Sequence, residues 1–67
     1  MITVKINGQN KEIKDNTTVA DFLKDNNINP IEVTVEYNFE IVNPENIADI
    51  TLTNHDTLEV LRFVGGG

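Results

Sequence analysis

Few side chains in this chain of 67 residues can do covalent chemistry. Cysteine is absent, which removes thiolate nucleophiles, thiolate metal ligands, iron–sulfur ligation and disulfides together. Serine is absent too, leaving threonines, Tyr37 and a single histidine, His55. His55 stands beside Asp56, which suggests a general base and its orienting carboxylate. The pair lies in Asn54-His55-Asp56, read as a polar turn, where neighbouring side chains normally point apart and no nucleophile is placed by the sequence. An exposed turn histidine is the expectation. A lone histidine with scattered carboxylates shows neither a His-x-x-x-His spacing nor a calcium-loop pattern, so no metal site is expected.

The remaining chemistry lies in the main chain, at Gly65-Gly66-Gly67. With a strand before them and no helix after them, these glycines do not suit a phosphate cradle. Lacking Cβ atoms, they keep the backbone thin enough to enter a narrow channel and free to adopt the φ it requires. The terminal carboxylate is a poor electrophile at neutral pH. It becomes reactive once a partner enzyme couples it to AMP from ATP, giving an acyl-adenylate open to a sulfur or nitrogen nucleophile. Taken alone, the same glycines fit a slack terminus equally well.

Several elements must hold that end in place. Ile2, Val4 and Ile6 alternate with Thr3 and Lys5, predicting a strand with one buried face, and Asn7-Gly8 supplies a tight hairpin turn. The return strand, Gln9 to Lys14, is mostly charged or polar and suits a sheet edge. Thr18 then caps a helix carrying Val19, Phe22 and Leu23, with Asp21 in its first turn, and Asn26-Asn27 close it before Pro30. Val33, Val35 and Tyr37 predict another strand. Asn38-Phe39 occupies the turn into a short strand over Glu40 to Val42, although Phe39 is awkward where positive φ is needed. Asn43-Pro44-Glu45-Asn46 predicts a helical turn, which Ile47 and Ile50 pin to the core. The last strand, Thr57 to Val64, places Leu58, Val60, Arg62 and Val64 on one face and Glu59, Leu61 and Phe63 on the other. With Leu58 and Val60 inward, Leu61 and Phe63 form an outward apolar patch for docking a partner, unless a bulge or a covering loop intervenes.

A chain this short makes one small α+β domain, without the interior for a buried catalytic pocket. The expected organisation is a domain over residues 1–64 and a flexible glycine tail over 65–67. A formal charge of −6 disfavours nucleic acid as a partner and suits either solubility or attraction to a basic protein. No apolar run reaches bilayer-spanning length and no signal-peptide pattern opens the chain, so membrane association is not expected and the cytoplasm is the expected location.

The opening Ile2-Thr3-Val4-Lys5-Ile6-Asn7-Gly8 hairpin, the Thr18-Val19-Ala20-Asp21-Phe22-Leu23 helix and the ending from Asp56 through Leu58-Glu59-Val60-Leu61-Arg62-Phe63-Val64 to Gly65-Gly66-Gly67 resemble the ThiS family of bacterial sulfur carriers in thiamine biosynthesis. The likeness covers essentially the whole chain and is most specific at its end. It implies a ubiquitin-like β-grasp fold: a mixed sheet of four to five strands on one main helix, with the first and last strands parallel at its centre. It also implies a carrier, not an enzyme, that binds no cofactor of its own and is a monomer when free. A ThiF-like adenylating enzyme would activate Gly67 with ATP, sulfur transfer would make a C-terminal thiocarboxylate, and a ThiG-like thiazole synthase would consume the sulfur. Gly66 and Gly65 would thread the partner's channel. Two turns depart from the family pattern: Asn38-Phe39 where Asn-Gly is frequent, and His55-Asp56 where Gly-Asp is usual. The alternatives are a small subunit of molybdopterin synthase, a carrier for another sulfur-containing metabolite, or a ubiquitin-like module that docks through Leu61 and Phe63 without covalent chemistry.

Overall fold

The computed structural model describes residues 1–62. Strand β1 (Ile2–Ile6) turns at Asn7-Gly8 into β2 (Gln9–Ile13), with both turn residues at positive φ. Helix α1 (Val19–Asp25) follows, then a 3-10 turn at Pro30–Glu32, β3 (Val33–Tyr37) and β4 (Glu40–Val42). A second 3-10 segment, Pro44–Asp49, leads to β5 (Thr57–Arg62). The five strands form one sheet in the order β2-β1-β5-β3-β4. β1 and β5 run parallel through its centre, and every other pairing is antiparallel. This is the β-grasp arrangement that the resemblance implies.

Both ends of α1 follow from its sequence. The Thr18 hydroxyl accepts from the Asp21 amide at 3.0 Å while the Asp21 carboxylate accepts from the Thr18 amide at 3.3 Å, a complete capping box. At the other end Asn27 takes φ 58, and the Ile28 amide returns to the Leu23 carbonyl at 2.9 Å, which satisfies the carbonyl the helix leaves open. A helix of two turns cannot stand alone in water, so its stability comes from Val19, Phe22 and Leu23 buried on the sheet. They meet Val4, Ile6, Val33, Val35, Leu52 and Leu58, with Ile47 from the second 3-10 segment. Each such side chain contributes about 1.5–3 kcal/mol when fully buried.

Two local expectations need adjusting. The 3-10 turn at Pro30–Glu32 was not anticipated; the Asn29 side chain opens it by accepting from the Ile31 amide at 3.0 Å. β2 ends at Ile13, one residue before the expected Lys14. β5 is described as far as Arg62, so Val64 at the proposed domain boundary, Phe63 and the three glycines lie outside the described residues. Both turns that depart from the family pattern keep glycine's backbone without glycine: Phe39 takes φ 73 and His55 φ 72.

Candidate functional site

β5 is the element that carries the C-terminal segment, and it is held along both edges. On one side β3 pairs with it from Tyr37↔Leu58 to Val33↔Arg62. On the other, β1 pairs only through Lys5↔Thr57 and Ile6↔Leu58 before the chain turns away. Leu58 is fully buried and Val60 half-buried, as the expected inward face requires. Arg62 shares that face but is exposed at the sheet's end, where its guanidinium lies 3.4 Å from the Glu32 carboxylate. An ion pair this exposed adds little to stability.

The opposite face of the sheet is open. Leu61 projects there and stays 48% exposed, with Thr34 as its partner on β3. Two residues back, Glu59 pairs with Glu36, and Glu36 pairs in turn with Ile41 on β4. Ile41 is 73% exposed. Register therefore puts Leu61 and Ile41 on one face with two facing carboxylates between them. The outward apolar position expected for Leu61 is present; Phe63, expected beside it, lies outside the described residues. Ile41 and the Glu36–Glu59 pair were missed by sequence reasoning. The signal was available, since Val42 faces the core and its strand neighbour must face away.

His55 and Asp56 do not form a catalytic pair. His55 is exposed at the turn. Asp56 is only 8% exposed, and its carboxylate turns inward to accept from the Tyr37 hydroxyl at 2.7 Å, the Thr53 amide at 2.8 Å, the Thr53 hydroxyl at 3.0 Å and the Asn38 side-chain amide at 3.3 Å. Burial pushes the Asp56 carboxyl upward, but the bonds from Thr53, Tyr37 and Asn38 together outweigh it and leave the group below its ordinary value. The Tyr37 hydroxyl is pushed up, by burial first and then by its bond to the Asp56 carboxylate and that group's charge. Both carboxylate oxygens of Asp56 are thus engaged in holding the end of β3 to the turn that leads into β5. Among the described residues no cluster of histidine and carboxylate ligands could hold a metal ion, and no helix is long and apolar enough to cross a membrane.

What the arrangement can do is hold the central strand β5 as far as Arg62, beside an exposed apolar and acidic face. The chain matches the ThiS family over residues 4–67. It is 35% identical over 65 residues to the sulfur carrier protein ThiS of Bacillus subtilis, covering 96% of this chain and 98% of that one. It is 34% identical over 62 residues to a thiazole synthase of Paramagnetospirillum magneticum, covering 92% of this chain but only 19% of the synthase. The crystal structure of the thiamine biosynthesis protein ThiS from Geobacter metallireducens superimposes with a TM-score of 0.85 at 28% identity, over 98% of this chain and 100% of that one.

Proposed function

The chain belongs to the ThiS family, sulfur carriers of thiamine biosynthesis and not catalysts, and from that premise we propose that Gly67 is the residue on which sulfur is carried. The observation that supports this most is that the family match runs through to residue 67, so the terminal glycine belongs to the shared pattern. In the proposed sequence a carboxylate oxygen of Gly67 attacks the α-phosphorus of ATP on a ThiF-like adenylating enzyme, and pyrophosphate leaves. A sulfur nucleophile of the hydrosulfide class then attacks the acyl carbon and AMP leaves, giving the thiocarboxylate. Gly65 and Gly66 thread the partner's channel, where any Cβ would widen the chain. Leu61 and Phe63 dock the domain, and Ile41 extends the same face.

Thiazole synthase is the proposed consumer of the sulfur. The favouring observation is the segment of a Paramagnetospirillum thiazole synthase that matches nearly all of this chain, so a carrier-like stretch and that synthase name occur on one polypeptide.

Intact mass spectrometry tests the assignment. With ATP, a ThiF-like enzyme and sulfide, the chain gains the difference between one sulfur and one oxygen atom. A chain lacking Gly67, or extended by one residue after it, gains nothing. Leu61→Asp reacts more slowly while keeping its far-ultraviolet dichroism. Sulfur incorporation into the truncated or extended chain would sink the assignment to Gly67.

A further inference from the structure

We propose that Asn7 is a positioning residue for the C-terminal segment, its side-chain amide acting as the missing continuation of β1 along β5. The proposal rests on the reading of Gly67 as the reacting terminus and deepens it. Along β5 and the residue before it, the main-chain groups of Asp56, Leu58 and Val60 face β1: the Asp56 carbonyl accepts from the Lys5 amide at 2.9 Å and the Leu58 carbonyl from the Asn7 amide at 3.0 Å. Beyond that point β1 has turned off at Asn7-Gly8, and no backbone remains to meet Val60. The Asn7 side chain fills the place. Its Oδ1 accepts from the Val60 amide at 2.8 Å and its Nδ2 donates to the Val60 carbonyl at 3.3 Å.

Asparagine suits both duties of this position. It tolerates φ 48 in the hairpin turn, and its amide offers one donor and one acceptor, as a peptide group does. Packing restrains this stretch less than it does the start of β5. Inward of Val60 lies an open groove of about 250 Å³, lined by Ile6, Gln9, Phe22 and Ile28 as well as by Asn7. With β3 on the other edge, the Asn7 bridge holds β5 from both sides at Val60, seven residues before Gly67. A terminus that starts from a held strand costs the partner less ordering on capture.

Asn7→Gly removes the amide and keeps the left-handed turn, and Thr18→Ala serves as a control that weakens the fold at the far helix cap. In Asn7→Gly the Val60 amide exchanges about tenfold faster relative to that of Leu23, as the loss of two hydrogen bonds implies. Its KM as the protein substrate of the adenylating enzyme rises about three- to tenfold with kcat little changed, whereas Thr18→Ala leaves KM at the wild-type value. Should Asn7→Gly fail to fold, Asn7→Asp, which keeps the acceptor for the Val60 amide but sets a carboxylate oxygen against the Val60 carbonyl, carries the KM test in its place. Unchanged relative exchange at Val60, or a KM equal to that of Thr18→Ala, overturns the role of Asn7 alone. A wild-type chain that takes no adenylate overturns the proposed function and this inference with it.

Discussion

Asp56 illustrates how a residue that looks chemical can be structural. Its two carboxylate oxygens meet four donors. In Asp56→Asn, whichever way the amide is turned, its NH2 group faces donors, so at neutral pH the variant is expected to lose about 1–3 kcal/mol of stability. The pH dependence follows from the lowered carboxyl. A depressed carboxylate contributes stability that is complete above its unfolded pKa of about 3.9 and is lost as pH falls through the folded value below it. The gap between wild type and Asp56→Asn, measured by urea denaturation, should therefore narrow once pH drops below about 4. A gap that stays constant down to pH 2 would mean that the carboxylate's charge is not what the four donors stabilise. The sequence made the separation of His55 from Asp56 legible, because adjacent turn residues diverge. It did not make the burial of Asp56 legible, since that depends on Tyr37 and Asn38 arriving from 19 and 18 residues away.

The elements were more legible than the contacts between them. Alternation at Ile2, Val4 and Ile6 and at Val33, Val35 and Tyr37, the Thr18 cap and the Asn-rich turns each encode their own geometry locally. Among the described residues, four of the six other than glycine at positive φ are asparagines, at 7, 16, 27 and 38, which is why turn positions could be read so closely. What stayed hidden is that two of these turn side chains reach across to β5. Asn38 accepts from the Thr57 amide at 2.9 Å on the β3 edge, and Asn7 meets Val60 on the β1 edge. The hairpins thus fasten the central strand as well as reversing the chain. Phe39, beside Asn38, fits poorly into this scheme: it holds φ 73 and is 78% exposed. Phe39→Gly releases about 1 kcal/mol of left-handed strain, partly offset by glycine's greater freedom in the unfolded chain. A net gain of about 0.5 kcal/mol is expected, raising the thermal midpoint of a domain this size by about 2–4 °C. A lowered midpoint would show that the exposed ring contributes packing that outweighs its strain.

At the scale of the whole molecule, a charge of −6 lies on a domain whose open sheet face brings Glu36 and Glu59 directly opposite each other. Facing like charges across two strands weaken the sheet by a few tenths of a kcal/mol. Folding alone gives no reason for the pair. The proposed docking role does: carboxylates bordering Leu61 and Ile41 would attract a basic surface toward the apolar contacts, and such charges act mainly on the rate of encounter. Stability and binding should then respond with opposite signs. Glu36→Gln/Glu59→Gln is expected to melt slightly higher than wild type, yet to associate with the adenylating enzyme about three- to tenfold more slowly at low salt, with the dissociation rate little changed. Raising the salt to about 0.5 M should bring the two association rates together, because exposed charges are screened within about 10 Å already at 0.1 M. Stopped-flow association across a salt series reads both effects at once. If the double variant is stabilised but associates at the wild-type rate at every salt concentration, the acidic pair does not steer this partner, and the docking face lies elsewhere on the domain.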